Sequence, residues 1–278
     1  MSTCDVFKAE DSGLLLVFMQ PGSGVTLAEF HEWYDSEHVP VRIERFGAFR
    51  SAGRYCVTSS GYFSHDACGC VVDGGWAAVY TVSSTMTFSD PSYVALRSER
   101  SQREAELFTR LSIIDRRIYK LEYDSDSDVT ITTARTKIGL SPQKSEDTGR
   151  YLVANSVDVS TEWQQDYNVW FEKEHVPMLS RVRGWRRSRR FMLIDNSVTG
   201  KDAKDTDAAG IPKTLGLHEY EEEGVEETEE YKHACSTEWR ESIAGNRAEN
   251  VLRRERKTCT LYKAWDPIAA LQQEQQSK

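Results

Sequence analysis

The chain reads as an α+β protein made of two ferredoxin-like βαββαβ repeats packed sheet to sheet. Three observations predict this. First, an octapeptide recurs: WYDSEHVP at 33–40 returns as WFEKEHVP at 170–177. Second, its flanks align at the same spacing without a gap. LLLVFMQ (14–20) falls on YLVANSV (151–157), Gly47 on Gly184, Arg50 on Arg187 and Ser51 on Ser188, and RRIYKLEY (116–123) resembles CTLYKAWD (259–266). Third, each half alternates strand-like and helix-like segments in one order. An internal repeat constrains the fold before local propensity does.

Each half opens with a short apolar strand, Leu14–Gln20 or Tyr151–Val157. A helix follows. In the first half it starts at Thr26-Leu-Ala-Glu29, a capping-box pattern, and Leu27, Phe30, Tyr34 and His38 recur at helical spacing. Trp163, Tyr167, Phe171 and His175 repeat that spacing. Pro40 and Pro177 disfavour helix at the residue before them, so each helix should stop near its histidine. Next come a strand (49–58 or 185–194), a loop rich in Gly, Ser and Asp (59–75 or 195–212) and a third strand (76–82 or 214–220). A second helix should run from Pro91 to Leu111, or from Glu227 to Ile243, and a last strand ends in IYKLEY or LYKAW. One such unit covers a single face of its sheet with helices, and the other face needs a partner. The expected organisation is residues 1–123 as one repeat, 124–149 as a polar linker and 150–278 as the second repeat, giving a monomer with an internal pseudo-dimer, or a homodimer.

Bulk properties narrow the function. Of 278 residues 39% are hydrophobic and 10% aromatic, enough for a packed core. No apolar run reaches the length of a membrane span. The opening MSTCDVFKAE is acidic and lacks a leader pattern, so a cytoplasmic location is expected. The net charge of −9 disfavours nucleic acid and anionic membrane as partners. RVRGWRRSRR (181–190) is locally basic, but the acidic EYEEEGVEETEE (219–230) follows and can neutralise it. Six cysteines without a paired C-x-x-C read as reduced thiols. HDACGC (65–70) reads as a glycine-rich loop rather than a metal cluster. There is no G-x-S-x-G, no P-loop, no G-x-G-x-x-G after a strand and no H-E-x-x-H, so cofactor-free and metal-free proton transfer is expected.

The element Trp33, Tyr34, Glu37, His38, Pro40, repeated as Trp170, Phe171, Glu174, His175, Pro177, resembles the EthD-like branch of the dimeric α+β barrel superfamily in a tandem, single-chain form. The resemblance implies an intramolecular barrel with a pocket in each half, between sheet and helices. It also implies cofactor-free decarboxylase, dehydratase or cyclase/isomerase chemistry on aromatic polyketide-type molecules, with haem binding in more distant relatives.

The residues suit such chemistry. A neutral imidazole at His38 can take a proton from an acidic C–H or phenolic O–H and return it. Arg54, Tyr34 or Tyr55 would hold the developing anion; Arg54 and Tyr55, adjacent on a strand, face opposite sides. His31 could extend a relay, Trp76 and Tyr80 could form an aromatic-accepting wall, and Glu37 could orient His38. Tyr34 against Phe171 and Arg54 against Phe191 mark the first copy as the working one, with His175 as a second candidate. Both histidines can instead close the last helical carbonyls, a reading preferred for His175. The resulting expectation is a cofactor-independent lyase or isomerase/cyclase for an aromatic substrate. The alternatives are a haem- or small-ligand-binding module and a non-catalytic structural pseudo-dimer.

Overall fold

The computed structural model describes residues 6–64, 75–137, 148–204, 207–245 and 248–265. HDACGC and residues 138–147 of the expected linker lie outside them. The strands are β1 Gly13–Gln20, β2 Phe49–Ser64, β3 Trp76–Val82, β4 Ile113–Asp124, β5 Tyr151–Val159, β6 Trp185–Thr199, β7 Thr214–Tyr220 and β8 Val251–Trp265.

These strands correct the expected fold. They do not form two ferredoxin-like sheets packed face to face; they close into one antiparallel barrel in the order β1-β3-β2-β8-β5-β7-β6-β4, with the helices outside. The cause is strand length. β2, β6 and β8 have 16, 15 and 15 residues and β4 has 12, against 7 to 9 for the other four strands. The long strands overshoot their neighbours within a half and would leave bare edges of N–H and C=O groups. Pairing β2 with β8 and β4 with β6 satisfies both edges, and closure removes them.

Closure explains the uninterrupted apolar run of β1. Leu14, Leu16 and Phe18 face the barrel interior, while Leu15, Val17 and Met19 face the helices. The interior also holds an ionic cluster. Arg117 (β4) donates to Asp115 at 2.6–3.1 Å and to Glu255 (β8) at 2.5 and 3.1 Å, and Lys257 lies 3.2 Å from Glu255.

The helices are shorter and more broken than the sequence pattern suggests. In the first half α1 Leu27–Trp33 runs through a π turn, Tyr34–His38, into α2 Val39–Arg45. The segments α3 Pro91–Ala95 and α4 Gln102–Phe108 stand where one helix was expected. A further helix, α5 Val129–Lys137, lies inside the expected linker and buries Ile131. In the second half α6 Gln164–Trp170 passes through a π turn, Phe171–His175, into α7 Val176–Leu179. α8 Glu229–Ala234 and α9 Glu238–Ala244 replace the other expected long helix. The first helices therefore do not stop at their histidines. Pro40 and Pro177 occupy the first turn of a new helical frame, where a missing N–H is tolerated, and Val39 and Val176 bond back to Tyr34 and Phe171. No helix among the described residues is long and apolar enough to cross a membrane.

Candidate functional site

The duplicated octapeptide places one histidine of each π turn against a cavity between barrel and helices. Its glutamate ties that turn to the neighbouring helix: Glu37 accepts from Ser101, the cap of α4, and Glu174 accepts from Thr237, the cap of α9. Glu37 therefore fixes the helix and does not orient His38. The breaks before α4 and α9 are set by these capping hydroxyls, each of which also accepts from a backbone N–H of its own helix.

The second-half cavity has a volume of about 470 Å³. Tyr167, Trp170, Phe171 and Tyr231 form aromatic walls, and His175 and His218 face it. His218 lies on β7, on the same face as Gly216. A Cβ at Gly216 would come within 3.0 Å of the Phe171 ring and 3.4 Å of His218 Nε2, so the glycine keeps this wall open. The rings of His175 and His218 are 5.4 Å apart and nearly perpendicular. His175 stacks on Trp170 at 4.5 Å, and His218 on Phe171 at 5.7 Å.

Hydrogen bonding gives the two imidazoles opposite polarity. His175 Nδ1 meets the Ala234 carbonyl at 3.3 Å. A carbonyl only accepts, so Nδ1 carries the proton and Nε2 is a bare acceptor. His218 Nδ1 is 2.8 Å from Ser188 Oγ, which accepts from the Trp185 indole N–H at 3.0 Å. Among the described residues Ser188 Oγ has no other acceptor for its own proton, so it donates to His218 Nδ1 and the His218 proton sits on Nε2. Burial holds both rings neutral. The His175 value falls to about 4, and that of His218 falls well below the usual range, with His175 beside it as a further cause. A base and a hydrogen-bond donor therefore share one apolar chamber. Arg256, paired with Glu226 at 3.0 Å, and Arg240 lie at its polar edge.

The first-half cavity is smaller, about 240 Å³. His38 Nδ1 lies 2.6 Å from Glu104 Oε1 on α4. Burial lowers His38 well below the usual histidine range, helped by Arg42 and Arg100, and burial raises Glu104. Arg42 donates to the His38 carbonyl at 2.7 Å.

The other expected site residues do not converge on His38. Tyr80 lines the cavity and its hydroxyl reaches that of Tyr34 at 3.4 Å; Tyr34 is fully buried behind His38, ring to ring at 4.7 Å. Arg54 instead pairs with Asp35, donates to His31 Nδ1 at 2.9 Å and lies over the Tyr34, Trp76 and Tyr262 rings. His31 and Trp76 belong to that separate cluster, with ring centroids 4.3 Å apart. Tyr55 points into the barrel, where its hydroxyl donates to the Gly149 carbonyl at 2.9 Å.

The pairing register also corrects the match between halves. Phe49 pairs with Val82 and Ser51 with Thr81; Trp185 pairs with Tyr220 and Arg187 with Glu219. The second half is therefore one residue shorter after Gly184. Arg54 corresponds to Arg190, which pairs with Glu172 at 2.9 Å and lies over Phe171, as Arg54 pairs with Asp35 over Tyr34. Phe191 corresponds to Tyr55, inside the barrel. The contrast of Arg54 with Phe191, which marked the first copy as special, disappears.

His218, Ser188 and Glu104 escaped the sequence reading. His218 had a signal: strand alternation places it on one face with Gly216 and Tyr220, in line with a cavity wall. Its neighbour Ser188 and the Glu104 partner of His38 depend on tertiary packing. The imidazoles of His175 and His218 are the side chains here best able to ligate a metal, but no group of three or more His, Cys, Asp or Glu among the described residues is placed to hold one.

No protein-family profile matches the chain, and no curated protein matches it either. Solved structures do. An anthrone oxidase-like protein superposes with a TM-score of 0.53 at 11% identity, covering 93% of this chain and 94% of its own. A "Putative monooxygenase" from Fusobacterium nucleatum subsp. nucleatum gives 0.53 at 9% identity, covering 93% and 95%. At such identities the likeness is one of fold alone.

Proposed function

We propose that the protein is an acid–base enzyme of the lyase or isomerase/cyclase kind, acting on an aromatic, polyketide-type small molecule in the second-half cavity. The observation that carries this reading is the opposite polarity of two neutral imidazoles in one aromatic-walled chamber. His175 Nε2 removes a proton from an acidic carbon or phenol. His218 Nε2–H donates to the oxygen on which the negative charge develops. The aromatic walls hold a planar substrate, and the volume of about 470 Å³ falls within the range of small-molecule sites. Loss of water, loss of carbon dioxide and ring closure all begin from an enolate or phenolate held in this way. The resemblance of the octapeptide to EthD-like proteins supports the same class.

The experiment is exchange of the α-protons of 2-tetralone, an aromatic ketone, for deuterium, followed by proton NMR. The protein should accelerate exchange, and His175→Ala should lower the acceleration by about 10²- to 10⁴-fold, as expected for loss of a general base. His38→Ala, in the other cavity, should leave it unchanged. No acceleration by the wild-type chain, or full acceleration by folded His175→Ala and His218→Ala proteins, would remove the reading.

A further inference from the structure

We infer that the first-half cavity is a second, independent ligand site, selective for a compact monocarboxylate with an apolar body. Its walls are apolar where Leu15, Val17, Phe108 and Ile114 face it. Its charged and titratable lining groups are His38, Glu104, the phenols Tyr80 and Tyr93, and four arginines, Arg42, Arg97, Arg100 and Arg116. Guanidinium groups stay charged in proteins. The only carboxyl in the lining, Glu104, is bonded to His38 at 2.6 Å, so one acid stands against four guanidinium groups.

The arginines are also short of acceptors. Arg42 gives Nη1 to a neutral carbonyl, that of His38. Arg116 gives Nη1 to Asp195 at 3.1 Å and leaves Nη2 buried without a hydrogen-bond partner. Arg100 lies over the Phe108 ring at 4.1 Å. A buried donor without an acceptor is costly, and a carboxylate can satisfy two such donors at once. The volume of about 240 Å³ leaves room for a small body beside that carboxylate and is too small for the substrates suited to the larger cavity. The second-half cavity has a smaller excess: three arginines, Arg240, Arg254 and Arg256, line it with two acids, Glu226 and Glu255, and Arg256 is paired with Glu226 and Arg240 with Glu241. Duplication has thus produced one aromatic chamber with neutral imidazoles and one small cationic chamber. The inference does not depend on the proposed reaction.

Isothermal titration of the full chain with sodium benzoate, benzamide and inorganic phosphate tests it. Benzoate should bind, and benzamide, of the same shape without the charge, should bind roughly tenfold more weakly or worse. Phosphate should not displace benzoate. Arg100→Gln, at a half-buried position, should weaken benzoate by about tenfold, with Arg116→Gln as the second variant if it folds. The inference is overturned if benzoate fails to bind at millimolar concentration, if benzamide binds equally well, or if phosphate competes as an equal. It is overturned equally if a folded Arg100→Gln protein binds benzoate like the wild type.

Discussion

Replacing Arg117 by Met should destabilise the chain by about 3–5 kcal/mol, because it breaks a buried ion cluster and leaves its acids behind. Arg117 and Asp115 are 1% and 0% exposed at their side chains, and Glu255 is 4% exposed. Met would fill much of the same volume, so the loss comes from charge. Glu255 would keep Lys257 at 3.2 Å, whereas Asp115 would lose its 2.6 Å ion-pair partner. Urea unfolding followed by circular dichroism should show a lower midpoint at unchanged slope. The deficit should depend on pH with a definite sign. Burial already raises the Asp115 carboxyl, with Arg117 opposing that rise. Without Arg117 it rises further, and a raised folded value means stability lost as pH rises through it. The variant should therefore be further below wild type at pH 8 than at pH 5. Asp115→Asn in the same chain should recover part of the loss, since the two sites are coupled. A loss below about 1 kcal/mol, or a deficit that grows on acidification, would refute the reasoning.

Three further outcomes follow from the same geometry. The carboxyls of Glu219 and Glu255 are each held down to about 2 by neighbouring cations that outweigh their burial; stability they supply above about 4.5 should be lost as pH falls towards 2, by roughly 3 kcal/mol each, in a pH series of thermal melts. Gly216→Val should fill the wall between Phe171 and His218 and abolish binding of a polycyclic phenol, read by calorimetry, while the first-half cavity keeps its ligand. Ser101→Ala and Thr237→Ala should each cost about 1 kcal/mol, because each hydroxyl caps a helix and also holds Glu37 or Glu174.

Much of this architecture was legible in the sequence, at the level of segments. The repeated octapeptide located the two histidines and the cavities they face, and β3 and β7 fall at the residues their patterns indicate, 76–82 and 214–220. The closed barrel was not legible. It depends on how far β2, β4, β6 and β8 run past their neighbours, and the mixed polar ends of those strands read as loop. The π turns were hidden for a related reason. A proline two residues past each histidine is a stop signal in an ordinary helix, and only a change of hydrogen-bond frame lets the chain continue. The single-residue shortening after Gly184 was invisible because the ungapped match still put arginine on arginine and serine on serine. It misassigned the counterpart of Arg54 and so created the contrast with Phe191 that set the first half apart. His218 acquires its meaning from Ser188 and Trp185 on the adjacent strand, which sequence spacing alone does not bring together.

The most direct test of the central claim is the protonation of the two second-half imidazoles in the wild-type chain. Long-range proton–nitrogen correlation NMR distinguishes the two neutral tautomers of each histidine. His175 should carry its proton on Nδ1 and His218 on Nε2 at neutral pH; His175 should remain uncharged down to about pH 5, since its value lies near 4, and burial holds His218 well below the usual histidine range. The same tautomer on both rings, or a charged ring at neutral pH, would contradict the account.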